Sequence, residues 1–145
     1  MLKLLIINGP NINMLGKREK EIYGTFNYVE MIETLTAYAK QKHLDIEFFQ
    51  SNIEGEIVTK IQEANYDGII INAAAYTHTS IAIRDALLAV RIPFVEVHLS
   101  NIYARESFRH KSFLSDIAIG VIAGFGICSY ALAMDYFKLV NDNVV

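Results

Sequence analysis

Glu96 and His98 sit two residues apart in an apolar run, Phe94 to His98, that reads as a buried strand. Side chains two apart share a strand face, so the carboxylate can lie directly beside the imidazole. A buried carboxylate needs a partner. Next to a histidine it fixes the ring tautomer and favours the protonated form, which is how a general acid is prepared. A second reactive group lies far away in the chain. The apolar run Leu4 to Ile7 stops at the turn-forming Asn8-Gly9-Pro10-Asn11, and the loop beyond carries Asn11, Asn13, Arg18 and Tyr23. Connections this long in a compact chain are usually functional or disordered, and the stretch from about 12 to 24 reads as a lid. A third polar group, Tyr76-Thr77-His78-Thr79-Ser80, follows an apolar run that ends in Asn72.

Several chemistries are disfavoured by what is missing. Gly9 to Gly16-Lys17 is too long for a phosphate loop, and no Ser or Thr follows the lysine. There is no GxGxxG for a dinucleotide and no GxSxG elbow. His43, His78, His98 and His110 lack metal-ligand spacing, and Cys128 has no companion cysteine, so no metal is expected. No lysine falls at an inward strand end, which disfavours a Schiff base. The aspartate cluster of a response-regulator receiver is replaced by asparagines after the first strand. Tyrosine, histidine, arginine and backbone amides remain, a set suited to proton transfer with enolate stabilisation. The plainer readings stay open beside this one. Asn8 and Asn11 could hold a turn, and His98 could be structural. Thr79 and Ser80 suit a helix start. Arg105 suits a salt bridge alone, and Cys128 suits a small buried apolar site.

The elements that must position these residues alternate between short apolar runs and helical patterns. Strands are expected over Leu2 to Asn8, Asp45 to Gln50, Ile69 to Asn72, Phe94 to His98 and Ile117 to Ala123. A helix starts near Asn27, where Glu30 completes a capping box, with Tyr28, Met31, Ile32, Leu35 and Ala39 inward. Ser51 and Glu54 suggest a second capped helix, with Ile57, Val58 and Ile61 inward. A third runs from about His78 to Val90 with Ala82, Ala86 and Leu87 on one face, and a fourth starts near Gly126 with Tyr130, Ala133, Met134, Phe137 and Val140 buried. Strands separated by helices imply right-handed crossovers and a parallel sheet covered on both faces. The expectation is one α/β domain over residues 1–145, a flavodoxin-like three-layer sandwich with strand order 2-1-3-4-5.

In such a sheet, ligands bind beyond the carboxyl ends of the strands at the switch in strand order. Strands one, three and four are neighbours there, so Asn8 to Asn11, Asn72 to Ser80 and Glu96 to Asn101 converge on one crevice. The amides of a helix starting near His78 would also point there and favour an anionic ligand.

Composition sets the outer bounds. The chain is 52% hydrophobic and 20% charged, with a net charge of -3. It is apolar enough to expect a homo-oligomer, and no basic patch suggests nucleic acid. No signal peptide or membrane-spanning run is apparent. One cysteine fits a reducing cytoplasm.

These motifs resemble those of the type II 3-dehydroquinate dehydratases. GPNINMLGKRE followed by Tyr23-Gly24 is similar to the family's GPNLNLLGxRE and YG. Asn72 with Thr77 to Ser80 resembles its strand-end Asn and THTS, and Glu96 to Asn101 with Ala104 to Arg109 resembles EVHxSN and AREXFR. Two positions depart from the pattern: Lys20 replaces the lid proline, and Ala73-Ala74-Ala75 replaces a glycine-containing turn. An alanine there is costly if the turn needs a positive φ.

The resemblance implies an anti dehydration of 3-dehydroquinate to 3-dehydroshikimate through an enolate, in the shikimate or quinate pathway, without cofactor or metal. It implies Tyr23 as the base at C2, Arg18 as a transition-state stabiliser, and Asn11 holding a water near the enolate oxygen. His98, oriented by Glu96, protonates the departing hydroxyl. Asn72, His78, Leu99, Ser100 and Arg109 match substrate contacts, and Asp85 matches a residue reaching a neighbouring subunit's site in a dodecamer of four trimers. A free tyrosine ionises near pH 10, so holding it as phenolate at neutrality takes about 4 kcal/mol. Arg18 and Arg109 are the candidate sources of that charge. The competing readings are a non-catalytic flavodoxin-like module for a small anion or a protein partner, and a flavin mononucleotide carrier.

Overall fold

The five apolar runs form one parallel sheet in the order β2-β1-β3-β4-β5. The computed structural model describes residues 1–17, 19–23 and 25–145, without the Lys20 side chain. The strands are β1 (Leu2–Asn8), β2 (Leu44–Gln50), β3 (Gly68–Asn72), β4 (Phe94–His98) and β5 (Gly120–Ala123). The helices are α1 (Lys20–Tyr23), α2 (Tyr28–Gln41), α3 (Glu54–Gln62), α4 (Ile81–Val90) and α5 (Cys128–Asn141). Strand periodicity splits the core in two. Leu4, Ile6, Ile70, Val95 and Val97 face α2 and α5, packing on Met31, Leu35, Tyr130, Ala133 and Met134. Leu5, Ile7, Ile69, Ile71 and Phe94 face α3 and α4, packing on Ile57, Ile61, Ile83 and Leu87. Both faces are covered, which is why the central strands are apolar throughout instead of alternating.

Local sequence rules decide most boundaries. Asn27 and Glu30 form the expected capping box at the start of α2. Six expectations need correction. Ser51 does not cap α3; its hydroxyl accepts from Ile53 N–H at 2.9 Å and bonds Glu56, so the helix begins at Glu54 behind a side-chain turn. The helix expected from His78 begins at Ile81. Residues Ala74–His78 form a tighter 3₁₀ segment, and Ser80 caps α4 by accepting from Ile83 N–H at 2.9 Å. The buried face of α4 is Ile83, Ala86 and Leu87, with Ala82 outside. Strand β5 is shorter than expected because Ile117 and Ala118 turn back to donate to Leu114 O. On α5, Val140 lies in the exposed last turn, and Cys128 is exposed where a buried site was expected. Among the described residues, no helix is long and apolar enough to cross a membrane.

The turn after β3 answers the question raised by its alanines. Ala74 has φ 53°, in the left-handed region. A side chain there costs about 1–2 kcal/mol. Ala74→Gly removes that cost and gives back part of it through the freer unfolded chain. The expected outcome is a net gain of about 0.5–1 kcal/mol, a rise of roughly 2–3 °C in melting temperature for a chain this size. Thermal denaturation followed by circular dichroism checks it, and a lower melting temperature would show that the turn does not need a glycine.

Candidate active site

The carboxyl ends of β1, β3 and β4 open into one cleft, where an open parallel sheet binds its ligands. Its walls include Asn11, Tyr23, Asn72, His78, His98, Leu99, Ser100, Arg105 and Arg109. The parallel register puts Asn8 beside Asn72, and β4 neighbours β3, so residues far apart in the chain arrive at the same rim. Glycine is required where β1 leaves the sheet. A Cβ on Gly9 would sit 2.3 Å from Ala73 O, and Gly9 N–H donates to Asn72 O at 2.8 Å.

The segment after β1 is anchored rather than loose over most of its described length. Ile12 and Leu15 are buried in the α2/α5 side of the core, and Tyr23 packs against the same cluster. Asn11 takes φ 69°, a conformation asparagine tolerates better than most residues. Its N–H donates to Asn52 Oδ1 at 3.1 Å, and Gln50 Nε2 donates to the same oxygen at 3.1 Å. Tyr76 in turn donates to Asn52 O at 2.6 Å. Asn52 therefore ties the loops after β1 and β3 together, a role with no signature in its local sequence. Arg18 and Gly24 lie outside the described residues, as does the Lys20 side chain.

The Glu96–His98 pair forms as strand alternation requires. His98 Nε2 donates to Glu96 Oε2 at 2.5 Å, and both side chains are almost completely buried. Burial opposes ionisation of Glu96, but bonds from His98, Ser115 and Ser112 outweigh it and hold the carboxyl below the ordinary carboxylate range. Ser112 Oγ and Ser115 Oγ donate to Oε1 at 2.9 and 2.7 Å. Glu96 does not itself line the cleft; it stands behind His98.

His78 lies beside His98, with ring centroids 6.3 Å apart and planes inclined by 17°. Its Nδ1 meets Lys111 O at 2.7 Å. A carbonyl only accepts, so Nδ1 carries the proton and Nε2 is an acceptor in the neutral ring. Burial, with the nearby His98 and Arg109 charges, lowers the His78 pKa against the opposing effects of Lys111 O and Glu96.

Asn72 is held by a buried tyrosine. Tyr130 O–H donates to Asn8 Oδ1 at 2.5 Å and accepts from Asn72 Nδ2 at 2.9 Å, while Ala74 N–H donates to Asn72 Oδ1 at 3.2 Å. The second N–H of Asn72 Nδ2 is left over by these bonds. Burial pushes the Tyr130 hydroxyl pKa well up, so it remains a neutral donor.

Arg105, expected only as a salt-bridge residue, lines the cleft. Its guanidinium carbon lies 5.1 Å from the Tyr23 ring centroid. It contacts Ser100 Oγ at 3.4 Å and pairs with Glu19 and Glu106 at 3.7 and 3.8 Å. Its Nε is buried and has no hydrogen bond among the described residues. Arg109 bonds Glu106 through Nε at 3.1 Å, which leaves its two terminal amino groups for a ligand. Sequence reasoning placed Arg109 correctly in the cleft and undervalued Arg105, whose neighbour Tyr23 is distant in the chain.

Asp85, expected at a neighbouring subunit's site, is exposed on α4 and outside the walls of this cleft. The first turn of α4, expected to point into the cleft, does not line it, because the helix begins three residues later than expected.

Comparison with known proteins decides the family. The model of class II dehydroquinases matches residues 2–138. The chain belongs to the class II dehydroquinase family. This class II dehydroquinase is 58% identical over 137 residues to a protein of Prochlorococcus marinus strain MIT 9301 named 3-dehydroquinate dehydratase, covering 93% of each chain. It is 55% identical to the protein of that name from Acinetobacter baylyi, covering 92% of this chain and 91% of the relative. Its fold superposes on the crystal structure of a type II dehydroquinase from Butyrivibrio crossotus with a TM-score of 0.91 at 50% identity, covering 93% of this chain and 96% of the other.

Proposed function

We propose that this dehydroquinase removes water from 3-dehydroquinate by an anti elimination through an enolate, giving 3-dehydroshikimate in the shikimate pathway. The observation that carries the reading is the shared cleft: Tyr23 and the Glu96-backed His98 line the same small-molecule site in a chain of this family. The Tyr23 phenolate takes the C2 proton. The released electron pair enters an enolate whose oxygen is the C3 carbonyl oxygen. Collapse of the enolate breaks the C1–O bond, and the departing hydroxyl takes a proton from His98 and leaves as water. Tyr23 then returns its proton to solvent as His98 regains one.

His98 uses Nε2 on Glu96, so Nδ1 is the nitrogen that faces the reaction. The Arg105 guanidinium, beside the Tyr23 ring, stabilises the phenolate, alongside the role assigned to Arg18. Asn11 holds the water that stabilises the enolate oxygen. Arg109 receives the substrate carboxylate through its terminal amino groups, in the geometry that suits a guanidinium fork. The backbone amides around Leu99 and Ser100 bind the same carboxylate. Asn72 and the neutral His78 hold substrate hydroxyls.

Incubation with 3-dehydroquinate tests the reading. The expected result is growth of the ultraviolet band of a conjugated enone, and the same activity from enzyme treated beforehand with borohydride and then freed of it. No enone from folded protein would contradict it.

We also propose that the chain acts as a cytoplasmic homo-oligomer, a dodecamer of four trimers, with Asp85 reaching a neighbouring site. Ile81 and Leu88 flank Asp85 at helical spacing on the outer face of α4, and all three are exposed. A sedimenting monomer at micromolar concentration would rule out the assembly.

A further inference from the structure

We infer that Ser112 and Ser115 are positioning residues for the reaction: both hydroxyls donate to Glu96 Oε1, keeping the carboxylate ionised and aimed so that its other oxygen holds the His98 ring with the shared proton on nitrogen. The inference rests on His98 acting as the proton donor and names the groups that keep it one.

The geometry leaves Ser112 little choice. Its Oγ already accepts from Leu114 N–H at 3.0 Å and from Ser115 N–H at 3.1 Å. With both accepting positions used, its single O–H has to point outward, and Glu96 Oε1 is there at 2.9 Å. Ser115 Oγ donates to the same oxygen at 2.7 Å. Glu96 is fully buried, so no solvent competes for Oε1.

The two hydroxyls matter because the pair can exist in two forms. In one, an imidazolium faces a carboxylate. In the other, the proton has crossed the 2.5 Å bond and a neutral imidazole faces a carboxylic acid. A buried site favours the neutral form through desolvation. Donors aimed at the second carboxylate oxygen favour the charged form, because an ionised oxygen accepts both bonds more strongly than a neutral carbonyl oxygen does. The charge acting on Glu96 is that of His98. On the cleft side the next titratable and charged groups are His78 and Arg109, and beside the serine turn Arg84 is paired with Asp116 while donating to Phe113 O at 2.8 Å.

The test is Ser115→Ala, with Ser115→Thr as the variant that restores the hydroxyl. Ser115 is only partly buried and caps nothing through its side chain, so the alanine variant retains the turn. The sign follows from Glu96, whose pKa is lowered partly by this bond. Losing the bond raises that pKa, so the acidic limb of the kcat profile moves to higher pH, by about one pH unit. On that limb kcat falls about tenfold while KM stays within about twofold, since the substrate contacts are untouched. A readout free of substrate accompanies it: nitrogen NMR of labelled histidine. In the wild type His98 Nε2 carries its proton at neutral pH; in Ser115→Ala its signal moves toward that of an unprotonated nitrogen, and threonine restores it. An unchanged acidic limb with an unchanged His98 signal, or a loss that threonine does not repair, would overturn the inference. A wild-type enzyme inactive on 3-dehydroquinate would instead overturn the proposed reaction, while the nitrogen spectrum would still decide whether the serines hold the pair.

Discussion

Tyr23→Phe is expected to lower kcat about 10³-fold while the melting temperature stays within a few degrees of the wild type. The substitution removes one oxygen and keeps the ring that packs on the α2/α5 core and under Arg105. Loss of a positioned base usually costs 10²–10⁴-fold, or about 2.7–5.4 kcal/mol at 1.36 per decade. The proposed substrate contacts are Arg109, Asn72, His78 and the Leu99–Ser100 backbone, none of them altered here, so KM or the dissociation constant should change little. Steady-state kinetics and titration calorimetry check the two halves separately. Turnover within tenfold of the wild type would remove Tyr23 from the base role.

The second large effect belongs to His98→Ala, and it should split the reaction in two. Proton removal at C2 requires the base and not the acid. Dehydroquinate incubated in heavy water with this variant is therefore expected to gain deuterium at C2 while 3-dehydroshikimate appears about 10³-fold more slowly. Equal loss of exchange and elimination would contradict the division of labour.

The same variant leaves Glu96 buried without its imidazole, and breaking a buried pair by removing one partner costs about 3–5 kcal/mol. The wild-type carboxyl is held low, so its contribution to stability is present above the ordinary value of 4.5 and is lost as pH falls through the folded value. In the variant burial dominates and favours the protonated acid. The gap in melting temperature between the two proteins should therefore narrow on going from pH 7 to pH 5. His98→Asn, which keeps an N–H for Glu96, should recover much of the stability and little of the turnover.

The sheet and its order were legible because apolar runs and helical spacing leave few ways to cover both faces of parallel strands. The meeting of Asn11, Asn72, His78 and His98 followed from the switch in strand order, and the Glu96–His98 bond from strand alternation. What escaped were effects set by long-range contact. Ser51 reads as a helix cap, yet Glu56 and Ile53 draw its hydroxyl into a turn. His78 reads as a helix start, yet its ring is tied to Lys111 O and the chain stays in a tight turn until Ser80. Ser112 and Ser115 lie in a stretch with no distinctive pattern, and their partner Glu96 is nearly twenty residues earlier. Arg105 reads as a salt-bridge residue alone because nothing in its own motif reveals that Tyr23 lies beneath it.

The central claim is that base and acid act on opposite faces of one bound ring. The most direct measurement uses two samples of 3-dehydroquinate, each carrying deuterium at a single, known C2 position. The account predicts that the deuterium opposite the C1 hydroxyl is lost to solvent and that the one on the same face is kept in the product. Loss of the same-face deuterium instead would contradict it.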